Sequence, residues 1–445
     1  MTIASAASAN EADEASLSSS KPRAIDPGVA PGPVVAYADR PAIPGDLPAC
    51  SPRVPVCVHP AGASDGPRAL ATLAAFERTW ATLTGALEVP PPEVDPLTLA
   101  YDVFLADRDA TLLEARDVRS HVDRGRAFSL VDRHAGCALD LAAATAVARA
   151  SLLGVAPATE EATAIAQSTY LATLAVPCAL PLLADDVAVF QRNAARTFVD
   201  AHVDEIAVAG GWDDPVNARF ARGASTFWAR LDWAFGRSPG RIVTAAWALH
   251  PTMTPVGADR WWNEPDTFDV LRVTFKGAFT AISTVDDLLL DFGVARAFFG
   301  TAADDLHAPE LRTLGEAARV PLDWDIPWPE RPRSLAQKTP VAPLGASYLS
   351  IQARADKRLR VEIEWEEHAL FRWAFVKVDR AGREMGRVPI PIRERATEAR
   401  MTLVDLAGVD HVLLVGVNVG DPAYAFDPDD GVWEPHGWVV TLAEE

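Results

Sequence analysis

The chain has 445 residues, 49% of them hydrophobic, and a net charge of −20. That is enough apolar material for two or three domains around a sizeable core. The charge argues against a nucleic-acid partner, which would want clustered Lys and Arg, and no apolar run reads as a membrane span.

Residues 1–50 are rich in Ala, Ser, Pro and Glu and lack periodicity, which predicts a disordered or extended arm. The first stretch, MTIASAASANEADEASLSSSKPR, has no hydrophobic signal core. VPVCVHP (54–60) is a first strand. PRALATLAAFERTWATLTG (67–85) is a helix, with Pro67 in its first turn and Leu70, Leu73, Phe76, Trp80 and Leu83 as the buried stripe. TLAYDVFLA (98–106) and RAFSLVD (126–132) are strands, and the charged segment between them reads as loop.

Two apolar helices follow, bracketed by Cys137 and Cys178. Leu139, Ala142, Ala146, Ala150 and Leu153 recur at helical spacing, and Gly154 and Pro157 end the run. Thr159 is placed to cap the second helix, with Glu160 and Glu161 at the positive end of its dipole. From about 185 to 300 the pattern stays helical. It includes ARGASTFWARLDWAFG, with Phe227, Trp228, Leu231, Trp233 and Phe235 on an apolar helix, and STVDDLLLDFGVARAFFG, where Thr284 and Asp287 form a capping box. The Pro-rich segment 321–343 reads as a linker. Beyond it the period changes to alternation, as in LRVEIEWE, and about seven short strands predict an antiparallel β-sandwich over 344–445. The fold class is α+β: an α-rich domain with a small N-terminal sheet over 51–320, then the sandwich.

The four cysteines are even in number and fall into two pairs by position, Cys50 with Cys57 and Cys137 with Cys178. A bridge closing the second loop would contribute roughly 4 kcal/mol in the chain-entropy account. Such pairing places the protein outside the cytoplasm; four reduced, buried thiols are the competing reading.

The order strand, helix, strand, strand, helix, helix over 54–175, with YDVFL ahead of the helix pair and a sandwich at the end, resembles a family of secreted zincin-type, gluzincin-like metallopeptidases of myxobacteria-like genomes. In such enzymes one helix carries H-E-x-x-H. Its histidines bind zinc, its Glu activates the bound water, and a Glu on the next helix completes the site. Laid on this chain, the motif falls on Thr145, Ala146, Val147, Ala148 and Arg149, and the third ligand on Glu160 or Glu161. No histidine lies between His134 and His202, and H-E-x-x-H is absent throughout. The resemblance therefore implies a zincin-like fold with a vestigial cleft at Thr145, Ala146, Arg149, Glu160 and Glu161. It implies no cofactor, zinc entering only if a non-standard site is active. The plain reading of Glu160 and Glu161 is charge at a helix N-terminus, which the dipole favours.

Other signals are single features. FDPDDG groups Asp427, Asp429 and Asp430 as a calcium loop would, without the later Glu of an EF-hand. His202 and Glu205 lie one helical turn apart. Trp261 and Trp262 in GADRWWNEPD could bind a sugar or a partner, or plug a core. No G-x-S-x-G, P-loop or G-x-G-x-x-G occurs. Three functions are expected in order: a metallopeptidase-like binding or scaffolding protein without zinc catalysis, with peptide or cell-surface material as partner; an active zinc peptidase with a non-standard site; and an adhesive or polysaccharide-binding module acting through the sandwich.

Overall fold

The computed structural model describes residues 41–43, 47–106, 110–115, 125–156, 159–199, 215–249, 254–255, 261–262, 267–275, 284–393, 396–421, 426 and 434–445. Its first unit is a mixed sheet. β1 (Ala49–Cys50) pairs antiparallel with β2 (Val56–His59), and the Cys50–Cys57 disulfide joins two residues that face each other in that pairing. Helix α1 (Gly66–Ala81) then crosses over to β3 (Tyr101–Leu105), which runs parallel to β2. A π-helical turn, Thr82–Ala86, extends α1. The predicted stripe holds at Leu73, Phe76, Trp80 and Leu83, all buried. Leu70, by contrast, is 63% exposed: it lies off the face that packs on the sheet. β4 (Ala110–Ala115) forms in the segment read as loop and lies antiparallel to β5 (Gly125–Val131), which is parallel to β3.

The predicted helix pair follows as α2 (Cys137–Val155) and α3 (Glu161–Ala175), and the Cys137–Cys178 disulfide ties the start of α2 to the turn after α3. α2 is long and apolar enough to cross a membrane by length and composition, contrary to the sequence reading. It is instead a core helix, apolar on nearly every side because α1, α3 and β5 surround it.

Further helices are α4 (Ala184–Arg192), α5 (Pro215–Gly223), α6 (Ser225–Phe235), α7 (Arg241–Leu249), α8 (Thr267–Phe275) and α9 (Val285–Arg296). The short strands β6 (Thr254–Pro255) and β7 (Trp261–Trp262) pair with each other. Thr284 caps α9, accepting from the Asp287 backbone N–H at 3.1 Å, as its sequence spacing predicts. Trp233 departs from the apolar stripe of α6: it is 49% exposed, with the Arg230 guanidinium 4.7 Å from its ring centre.

Two stacked sheets complete the chain. The larger contains β8 (Trp324–Ile326), β10 (Ala346–Gln352), β12 (Phe371–Val378), β13 (Glu384–Pro389) and β15 (His411–Asn418), in the order β13-β12-β15-β10-β8. The other contains β9 (Arg333–Ala336), β11 (Leu359–Trp365), β14 (Glu398–Leu403) and β16 (Trp438–Glu444), in the order β14-β11-β16-β9. The Pro-rich segment read as a linker thus supplies a strand to each sheet. β8 pairs parallel with β10, so the sandwich is antiparallel except at that edge.

The larger sheet is buried on both faces. Phe371, Trp373, Phe375, Ile351 and Leu414 turn toward Val361, Ile363, Val440 and Leu442 of the other sheet. Ala374, Val376, Tyr348, Val415 and Val417 turn the opposite way and merge with the core of the helical part. Helix α9 lies on that second face. Gly293 is where it comes closest, since a Cβ there would stand 2.5 Å from Val417 Cγ2, and the Tyr348 hydroxyl donates to the Gly293 carbonyl at 2.8 Å. The architecture is therefore helices on sheet on sheet, with the small N-terminal sheet behind the helices.

Replacing Gly293→Val should overpack this contact and cost about 2 kcal/mol. Leu70→Ser, on the exposed side of α1, should change stability by no more than about 0.5 kcal/mol. Urea denaturation followed by tryptophan fluorescence reads both.

Candidate functional site

Thr145 and Ala146 lie on α2 one turn before Arg149, as the motif spacing implies, but they do not line an open cleft. Thr145 is half-buried, Ala146 is 3% exposed, and Val147 and Ala148 are fully inside. Arg149 is buried as well, and burial pulls its guanidinium down to about 9, so it stays cationic at neutral pH. Glu160 occupies the N-cap position of α3 in place of Thr159, and no side chain caps the helix. At 1% exposure Glu160 is buried, and it stands at the start of α3, where a negative charge meets the positive end of the helix dipole. Glu161 is the first residue of α3; its side chain lies outside the described residues.

These residues do not fit a zinc ion. Ala146 offers a methyl where the general base would stand, and Arg149 offers a cation where a neutral imidazole would bind. Among the described residues no group of three or more His, Cys, Asp or Glu is placed to hold a metal. Asp427, Asp429, Asp430, His202 and Glu205 lie outside the described residues. Trp261 and Trp262 form β7, with their side chains likewise outside.

The most developed polar constellation among the described residues was not foreseen. It sits between the helices and the larger sheet. Arg230 of α6 forks onto Asp291 of α9, Nε to Oδ2 at 2.8 Å and Nη2 to Oδ1 at 2.9 Å. Arg387 of β13 donates to the same Asp291 Oδ1 at 2.7 Å and forks onto Glu384 with two bonds of 2.8 Å. His307 continues the row. Its Nε2 is 2.8 Å from Glu384 Oε2, its Nδ1 is 2.6 Å from Asp304 Oδ1, and its ring stacks on Phe298 at 4.2 Å. Its Nε2 also lies 3.1 Å from Arg387 Nη2, so the ring stands between two carboxylates and a guanidinium. Burial alone would raise the Glu384 carboxyl, but the bonds and charges of His307 and Arg387 outweigh it and hold it down at about 2. Burial would likewise lower Arg387, and Glu384 with Asp291 raises it.

The row uses its donors and acceptors internally. It offers a substrate no open base or nucleophile, and it joins α6, α9, the 304–307 turn and β13. The sequence did carry a signal. Arg230 and Asp291 stand inside the apolar helical runs STFWARLDWAF and VDDLLLDFGVAR, and a charge at a buried helical position needs a partner. A second buried pair lies at the carboxyl end of β2. His59 Nε2 is 2.7 Å from Asp102 Oδ1, Thr98 Oγ1 donates to Asp102 Oδ2 at 2.7 Å, and the imidazole stacks on Phe104.

No family model matches the chain, and no curated protein matches it. Among solved structures, the pre-peptidase C-terminal domain of collagenase from Bacillus anthracis is similar over 28% of this chain and 97% of that one, at 9% identity and a TM-score of 0.18. The VP2 subviral particle of infectious bursal disease virus is similar over 26% of this chain and 33% of that one, at 10% identity and a TM-score of 0.17. Neither likeness bears on function.

Two outcomes follow from this geometry. Ala146→Glu should cost about 3 kcal/mol or more if the helix pair is closed core, because it buries a carboxyl; a solvated cleft would tolerate it. Glu384 is depressed below its ordinary 4.5, so its stabilisation is present above that value and is lost as pH falls from there toward 2. Glu384→Gln should cost about 3 kcal/mol at pH 7 and flatten this acid limb, read from urea midpoints between pH 7 and pH 2.5.

Proposed function

We propose that the chain is a metallopeptidase-like protein without zinc-dependent catalysis, acting as a binding or scaffolding protein outside the cytoplasm. The observation that carries this reading is the state of α2: the position of the general base is an alanine sealed in the core, beside a buried arginine. The surrounding order supports the resemblance. β2, α1, β3, β4, β5, α2 and α3 follow one another as the resemblance implies, with β4 as an additional edge strand. The two disulfides support an oxidising compartment, where such bridges persist.

The purified full-length chain tests the proposal. Elemental analysis after dialysis against a trace of zinc should find no stoichiometric metal, and incubation with denatured casein should give no chelator-sensitive cleavage. One zinc per chain together with cleavage abolished by a chelator would establish an active peptidase with a non-standard site.

A further inference from the structure

A pocket of about 260 Å³ opens where the larger sheet meets the helical part, away from α2 and α3. Its floor is the helix-facing side of the sheet. In the strand ladders Ser350 stands opposite Asp325 on one side and Leu413 on the other, and His411 stands opposite both Gln352 and Val378. Residues opposite each other share a face, so Asp325, Ser350, Gln352 and His411 form one polar strip beside Val378 and Leu413. Phe298, Val320 and Leu322 add apolar wall, while Arg319 and Asp410 stand at the mouth.

The polar strip is not satisfied by the protein. Ser350 and the exposed Asp325 and Gln352 make no side-chain hydrogen bond among the described residues, which leaves all three open to the pocket. An open hydroxyl, carboxylate and amide on one pocket wall are available to a ligand that brings its own donors and acceptors. His411 Nδ1 is 3.1 Å from Asp410 Oδ2, which leaves its Nε2 for another partner. Arg319 is held at the rim by Glu316 at 3.1 Å.

This chemistry selects a ligand class. Asp325 and Asp410 oppose an anion. A cation would use the acceptors but leave Arg319 facing it. Donors and acceptors set along one side, with an apolar wall on the other, match a neutral ring whose hydroxyls both give and take hydrogen bonds and whose C–H face packs on carbon. The volume lies just under the roughly 300–1,000 Å³ of pockets for drug-sized ligands, which suits a single ring. We propose that this pocket binds one neutral sugar residue, free or at the end of a glycan. The site lies apart from the helix pair, so a zinc result of either sign leaves it untouched.

Ligand-observed NMR titration of the full-length protein tests it, with glucose, galactose and N-acetylglucosamine as probes. At least one should bind saturably. Asp325→Ala and Gln352→Ala, at exposed strand positions that spare the fold, should each weaken that binding about tenfold. Ala302→Trp, which fills the mouth from a half-buried turn, should abolish it while circular dichroism stays unchanged. Three results would overturn the assignment: no saturable binding of any of the three sugars; sugar binding that survives both Ala302→Trp and Asp325→Ala; or saturation by N-acetyl-lysine methylamide or inorganic phosphate in place of the sugars.

Discussion

The sheet formed by β10, β12 and β15 is apolar on both faces, and it cannot be stable with only one of them covered. One face takes the second sheet. The other must be shielded by something else, and α9 is what lies on it. The Gly293 backbone reaches the strands closely enough that no side chain fits between. From that contact much of the arrangement follows. Arg296, at the end of α9, is buried and bonded to Gln191 Oε1 and the Phe190 carbonyl of α4, fixing the next helix. Asp291, one turn earlier, meets Arg230 and Arg387, so the same helix sets the orientation of α6 and of β13.

A hydrophobic contact of this kind is not directional, but the polar row beside it is. Basic and acidic groups alternate from Arg230 to Asp304, and the two Arg–carboxylate forks fix both distance and angle. Buried ion pairs contribute little net stability against apolar replacements of similar size. Their effect here is to admit one register between helices and sheet, since a shift by a turn would bury charges of like sign against each other. Shape at Gly293 and charge at Asp291 thus act within one turn of the same helix, the first supplying closeness and the second specifying position.

The parts of this fold that were legible in the sequence are those with one wet side. LRVEIEWE alternates because one face of β11 is solvated, and α1 shows a stripe for the same reason. α2 and α3 were legible by length and by their breaks. β10 was not, because ASYLSIQ is buried on both faces and so shows no period. β8 and β9 were hidden by prolines around them, which suit strands at sheet edges, and β4 by a charged edge sequence. Leu70 and Trp233 were misplaced because spacing does not reveal which side of a helix a neighbour will cover. At the helix pair the sequence showed what residues were absent, but not that Glu160 would be drawn into the core. The row of charges and the pocket join residues distant in sequence, a proximity that only the folded chain supplies.

The placement of β8 and β9 also bears on what counts as a unit of this protein. Each lies at the edge of its sheet, and both come from the segment that leads out of the helices. Divided at residue 343, the chain would lose both, leaving β10 and β16 with unpaired backbone groups along one side and the β12–β15 face without its helix. Such edges recruit other chains. The sandwich is thus finished by residues that precede it, and its sheets are complete only with the segment that leads out of the helices.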